Sequence, residues 1–236
     1  MKRVALMQPY LFPYIGYFQL IKAVDHFIVY DDVQWRKGGW INRNLILVNE
    51  RADYITLPVK KDSFTKNINQ REFAASFDHD KTVFIKKITD AYELAPYFSQ
   101  TLHVVTECFA SSDRNAARFL EHCLKVCCEY LHIDTHISRS SQISGRSSGL
   151  RSQDRVLDTL ACVGADQYVN ASGGKELYST DDFSERKIDL LFLEPQLREY
   201  SQQIPHFVSS LSIIDAMMFN SVEEIASQLL NYRLVR

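Results

Sequence analysis

Apolar and polar positions alternate with changing period along the chain, and each change predicts an element. "RVALM" and "FIVYDD" are short, nearly continuous apolar runs with β-branched and aromatic residues, which predicts strands over 3–7 and 26–31 with a helix over 16–24 between them. Two buried strands joined by one helix predict neighbours in a parallel sheet covered on both faces. Open sheets of that kind bind ligands beyond the carboxyl ends of their strands.

The next stretch, "VQWRKGGWINRN", is a polar, aromatic and basic loop that no hydrophobic period explains. "LILV" and "YITLPV", on either side of "NERAD", predict a hairpin over about 45–59 with a connection of four or five residues. It should project from the sheet or extend its edge, because Pro58 cannot donate to a central ladder. Helices follow over 78–99, ending near Pro96, and over 113–131, opening on a cap at Ser112 or Asp113. A strand near 134–138 leads into "SRSSQISGRSSGLRSQDR", whose four arginines can meet an anion. The pattern closes with a helix over 152–163 ending at Gly164, a strand over 166–170, a helix opening at "ASGGKELY", a strand over 188–193 and helices near 212–219 and 222–231. The expectation is an α/β protein with a Rossmann-like, mostly parallel sheet flanked by helices. It is read as one domain over 1–236 with a hairpin insertion about 45–59 and a helical segment about 78–131.

Composition changes this picture little. The 236 residues are 46% hydrophobic and 24% charged, which suits a chain that buries a sizeable core. A formal charge of −2 argues against sequence-independent binding of a nucleic-acid backbone, where a basic face dominates. No apolar run reaches the roughly 18 residues of a membrane span, and "MKRVALMQPY" arrives at Gln8-Pro9 too soon for a signal peptide. A cytoplasmic protein is expected. Five cysteines, an odd number, point to free thiols. Cys123 and Cys127 beside His122 have ligand-like spacing, but they lie in "FLEHCLKVCCEYL", whose apolar periodicity suits a core-facing helix. No metal site is expected there.

The chemistry concentrates in three stretches. "QPYLFPYIGYF", residues 8–18, carries more aromatics and prolines than a strand-to-helix turn needs. Gly16 at the helix start permits close backbone approach, and the free N–H groups of a helix start attract anions such as phosphate. "NASGGKEL" lacks the spacing of a Walker loop, yet Ser172, Gly173, Gly174 and Lys175 can present N–H groups, a hydroxyl and an ammonium at a strand end. Asp31 and Asp32, at the end of the second strand, can hold Mg²⁺, orient an amine or accept a proton. In an extended chain they face opposite sides, so one of them, read as Asp32, enters the site. The alternative is a turn cap and an ion pair with a nearby arginine.

These stretches, with "YDDVQWRKGGWINRN", "GADQYVNASGGKELY" and "SLSIIDAMMFNS", carry a resemblance to the WbqC-like family, bacterial proteins whose namesake is associated with O-antigen production. Gln8-Pro9, Pro13, Gly16-Tyr17-Phe18, Asp31-Asp32-Val33-Gln34, Asn42-Arg43, Gly164-Ala165, Ser172-Gly173 and Ser212-Ile213-Ile214-Asp215 occur in the family's order. A looser likeness links the first turn to adenylate-forming nucleotidyltransferases, with Tyr14-Ile15-Gly16-Tyr17 where those carry His-x-Gly-His. Tyrosine can steer a phosphate oxygen but cannot neutralise it.

Cations must then come from Arg36, Lys37 and Arg43, in and just after the loop that follows the second strand. Tyr10 and Trp40 are read as pocket lining, Tyr14, Asn42 and Pro9 as further contacts, and His206 as a candidate from the "QIPHFV" segment. No Ser-His-Asp or Cys-His arrangement is evident. The resemblance implies an enzyme of bacterial surface-polysaccharide biosynthesis that moves an acyl or aminoacyl group from an activated donor to an amino sugar. In that reading backbone donors after Gly16 and Ser172 hold phosphate, Arg43 and Lys175 balance charge, and Asp32 orients the amine or a metal, while Tyr17 with arginines serves nucleotidyl transfer. Its cofactor class would be ATP or another nucleotide with Mg²⁺, and its partners a nucleotide, sugar or aminoacyl substrate. The alternatives are nucleotidyl transfer, or ligand binding without catalysis on the same fold. Oligomeric state stays open.

Overall fold

The computed structural model describes all residues, Met1–Arg236. Six strands form one sheet: β1 Arg3–Met7, β2 His26–Val29, β5 His136–Arg139, β6 Gln167–Ala171, β7 Asp189–Pro195 and β8 Tyr232–Val235. Their spatial order is β5-β2-β1-β6-β7-β8, parallel throughout except for the antiparallel β7–β8 pair. The fold is thus α/β with a mostly parallel sheet, as the apolar runs predict. The edge strand β8 is an addition that a helical pattern reaching residue 231 does not predict.

Side chains alternate across the sheet and so build two cores. Val4, Leu6, Ile28, Tyr168, Leu190 and Phe192 face one side, where helix α5 (Ser152–Cys162) contributes Val156, Leu157 and Leu160, and the short α6 (Thr180–Glu185) contributes Phe183. Ala5, Phe27, Val29, Val169 and Leu193 face the other. There α1 (Ile15–Lys22), α4 (Ala116–Tyr130) and α8 (Val222–Leu229) cover the sheet. Helices on both faces explain why these strands read as continuous apolar runs.

Three local expectations need correction. The helix expected over 78–99 is α2, Phe77–Tyr92, and the chain then turns through Pro96 into a separate α3, Phe98–Ala110. Proline ends the first helix because it has no N–H and disfavours helical geometry before it. α3 buries Val104, Val105, Cys108 and Phe109 and packs on α4. "ASGGKELY" opens a 3₁₀ turn, Ser172–Leu177, since two successive glycines are costly in an α-helix. The hairpin pairs β3, Arg43–Val48, with β4, Arg51–Thr56, as a separate two-stranded sheet. Its turn has two residues, Asn49 and Glu50, with φ of 48° and 64°. Both central residues must be left-handed for the turn to match strand twist. Glu50→Gly is therefore expected to raise stability by about 0.5 kcal/mol, because the relief of left-handed strain exceeds glycine's entropy loss. A thermal melt no higher than that of the unmodified chain refutes it.

Cys108, Cys123, Cys127 and Cys128 are buried free thiols, and Cys162 is an exposed one. No helix is long and apolar enough to cross a membrane.

Candidate functional site

The chain leaves β1 toward β2 and β5 on one side, then returns to β6 on the other, so strand order reverses between β1 and β6. Ligands bind at such a switch point, beyond the carboxyl ends. Here the two strands pair only at Arg3↔Gln167 and Val4↔Tyr168, whereas β1 and β2 pair over four positions. The carboxyl-terminal halves of β1 and β6 are left unbonded to each other. A cavity of about 890 Å³ lies beyond them, lined by Gln8 after β1, Tyr30 and Arg36 after β2, Glu176–Tyr178 after β6, and Arg151–Gln153, Arg155 and Val156 at the start of α5. The bends after β1 and β6 thus meet on one sheet edge.

The cations of this crevice come mainly from the Ser/Arg/Gly stretch. Arg155 donates from Nη2 to the Asp32 carboxylate at 2.7 Å and to the Asp32 carbonyl at 2.9 Å, and its guanidinium lies 5.7 Å from the Tyr30 ring centre. Arg146 pairs with the same carboxylate. Arg36 and Arg151 are exposed and have no carboxylate partner. The amides of Ser152, Gln153 and Asp154, in the first turn of α5, find no acceptor within the protein. Ser152 there holds φ at 47°, a costly geometry for a residue with a Cβ. Burial by itself would raise the Asp32 carboxyl. Hydrogen bonds from Arg146 and Ser140 and the charges of Arg146 and Arg155 outweigh it and hold Asp32 below the ordinary carboxylate range. Burial pushes the Tyr30 hydroxyl up to about 12, with Arg155 pulling against it.

The adjacent acids do not face opposite ways. They lie just beyond β2, where the chain bends, and both turn to the loop after β5. Asp31 accepts from the Ser140 hydroxyl at 3.0 Å, the Ser141 amide at 2.9 Å and the Ser141 hydroxyl at 2.7 Å. Asp32 lies 2.5 Å from the same Ser140 hydroxyl, whose single proton the two acids share, and accepts from the two arginines. Both carboxylates are buried and engaged, and no group of three or more His, Cys, Asp or Glu is placed to hold a metal ion. The residues present do not fit a protein-held Mg²⁺, and charge compensation falls to the arginines.

Of the residues singled out from sequence, Gln8 and Arg36 line the crevice and Asp32 stands behind it as the anchor of Arg146 and Arg155. Gln8 has a free side-chain amide, and its backbone carbonyl accepts from Tyr17 Oη at 2.7 Å. Tyr17 is accordingly buried in the core and braces the exit of β1. Pro9 is buried. The Tyr14 ring folds over Gly16, where an added Cβ would run into Tyr14 Cε2, so Gly16 makes room for that ring. Asn44, fully buried, pins the same bend by donating to the Leu11 and Phe12 carbonyls and accepting from Tyr10 Oη at 3.2 Å. The prolines and rings of "QPYLFPYIGYF" therefore rigidify the bend more than they wall the crevice.

Arg43 stands elsewhere. Its Nε donates to the Gly39 carbonyl at 3.1 Å, and its guanidinium lies against the rings of Trp40 and Tyr54 at 5.6 and 4.9 Å. Asn42 donates to Leu57 O at 2.8 Å, and Lys37 is exposed in the preceding loop. Past β6, Gly174 is packed under the Asn170 side chain, and the Lys175 ammonium pairs with Glu194 at 2.8 Å. Ser172 and Gly173 open that 3₁₀ turn, and the cavity is lined by its last two residues, Glu176 and Leu177, and by Tyr178. His206 is exposed in the segment between β7 and α7 (Ile213–Phe219) and does not line the crevice. Arg146, Arg151, Arg155 and Tyr30 are the residues that individual sequence motifs did not single out. Their signal was the density of arginine among serines and glycines over 138–155.

The WbqC-like protein family matches over residues 8–227. The chain belongs to that family. It is also 28% identical over 236 residues to the uncharacterized protein Rv1507c of Mycobacterium tuberculosis, covering 93% of this chain and 94% of the relative. No solved structure matches. The matched span runs from Gln8 into α8, so it takes in every residue that lines the crevice of this WbqC-like protein.

Proposed function

We propose that this WbqC-like protein binds a nucleotide or nucleotide-activated substrate in the crevice. We further propose that it transfers an acyl or aminoacyl group to an amino sugar during synthesis of bacterial surface polysaccharide. One observation carries the binding: Arg36, Arg151 and Arg155, with Ser152 and Gln153 whose amides are unfilled, line a cavity of about 890 Å³ at the switch point between β1 and β6. Guanidinium groups recognise phosphate through paired N–H donors, and the amides of a helix start add to that field. The rings of Tyr30 and Tyr178 and the free amide of Gln8 suit a base or ribose on the same wall.

The transfer reading is supported by the family resemblance. The sugar's amine would attack the carbonyl carbon of an acyl adenylate, forming the amide as the bond to the nucleotide phosphate breaks, with the amine proton passing to solvent. Arginines at the crevice would stabilise the phosphate that leaves. Asp32 positions Arg155 and its neighbour Arg146 and, held ionised, is a weak proton acceptor. Isothermal titration with ATP, UDP, GDP and dTDP tests the binding. At least one is expected to bind with Kd of about 10 µM at low salt, weakening as salt rises. Absence of heat for all four at millimolar ligand ends the proposal.

A further inference from the structure

A second cavity, of about 470 Å³, opens beside the first and is lined by Arg146, Ser147, Ser148, Leu150 and Asp158, together with Arg151 and Arg155. Arg151 and Arg155 line both cavities. Two guanidinium groups on the boundary suit a ligand that is anionic in its middle and extends to either side. The larger side offers apolar and aromatic surface from Tyr30, Val33, Leu177 and Tyr178, which suits a nucleoside. The smaller side has one apolar residue, Leu150, and is otherwise hydroxyl, carboxylate and guanidinium, which suits a polyhydroxylated group.

Resting on the nucleotide-binding reading above, we infer that the ligand is a nucleoside diphosphate joined to a sugar, with the diphosphate on Arg151 and Arg155 and the sugar in the smaller cavity. Asp158 separates this ligand from a nucleoside triphosphate. Its carboxylate accepts from the Ser147 amide at 2.8 Å and the Ser147 hydroxyl at 2.9 Å, which fixes it on the wall of the smaller cavity. A third phosphate there meets a fixed negative charge, whereas sugar hydroxyls can donate to it. The inference makes the nucleotide on Arg151 and Arg155 the handle of the acceptor sugar, in place of the acyl donor's adenylate, so that an amino sugar arrives already attached to its diphosphate.

Calorimetric titration of the full chain with UDP, GDP, ADP and dTDP, their hexose conjugates and the matching triphosphates tests this. For the preferred base, the hexose conjugate is expected to bind about tenfold tighter than the diphosphate, and the triphosphate no tighter than the diphosphate. Ser148→Trp and, separately, Leu150→Trp fill the smaller cavity and are expected to reduce that preference to about one, with the binding of the diphosphate itself reporting that each variant is folded. Equal binding of diphosphate and conjugate by the unmodified chain overturns the inference and leaves nucleotide binding intact. A preference that survives both tryptophans overturns it too, by placing the sugar elsewhere. Failure of every nucleotide to bind removes both readings together.

Discussion

Replacing Arg155 by alanine is expected to weaken nucleotide binding about 100-fold, or roughly 2.7 kcal/mol. The size follows from where Arg155 stands. It lines both cavities, it is fixed by the Asp32 carboxylate and carbonyl, and its plane is set against Tyr30. A cation held in place before the ligand arrives loses little side-chain entropy on binding, so more of its attraction appears as affinity. Arg155→Lys should recover only part of the loss, because an ammonium cannot hold Asp32 and a phosphate through a planar fork. Kd values from calorimetry decide it. An alanine variant within about threefold of the unmodified chain would show that phosphate does not contact this residue.

The second large effect is on stability. Asp215, in the first turn of α7, is fully buried and accepts from Tyr92 Oη at 2.8 Å, Tyr200 Oη at 2.6 Å and Gln202 Nε2 at 2.7 Å. Tyr92 Oη in turn accepts from the Leu47 amide at 2.8 Å, which ties the hairpin to the helical layer. Burial raises the Asp215 carboxyl above its ordinary value, opposed by hydrogen bonds from Tyr200, Gln202 and Tyr92. Asp215→Ala leaves three donors without their acceptor and is expected to cost on the order of 3 kcal/mol, a fall in Tm of roughly 6–12 °C for a chain of this size. Tyr92→Phe, which removes one hydroxyl from the same network, should cost about half as much. Thermal melts of both variants test the network, and a fall below about 2 °C for Asp215→Ala would mean that the donors find other partners.

Within the candidate site, legibility depends on whether folding supplies a competing partner. Gln8 and Arg36 could be singled out because they neighbour a predicted strand end, and strand ends are where such sheets bind ligands. Arg43, Lys175 and Tyr17 have equally suggestive neighbours in sequence. Each is nevertheless taken by a partner that only folding brings near: the Gly39 carbonyl with the rings of Trp40 and Tyr54, the Glu194 carboxylate, and the Gln8 carbonyl. Asp32 stands out in sequence as a carboxylate at a strand end, with pairing to an arginine as the alternative, but not as the shared partner of two arginines more than 100 positions later.

What the chain's pattern determined alone is the parallel sheet, its flanking helices and the free, buried cysteines, because period and apolar content act locally and dictate which faces leave water. The same local physics announced an arginine-rich loop without a destination. Tertiary structure decided the reversal of strand order at β1 and β6, the short ladder that opens the crevice there, and the delivery of Arg151 and Arg155 to it. These depend on crossovers that join segments far apart in sequence, and the free energy of such contacts belongs to the pair in space and to neither segment by itself.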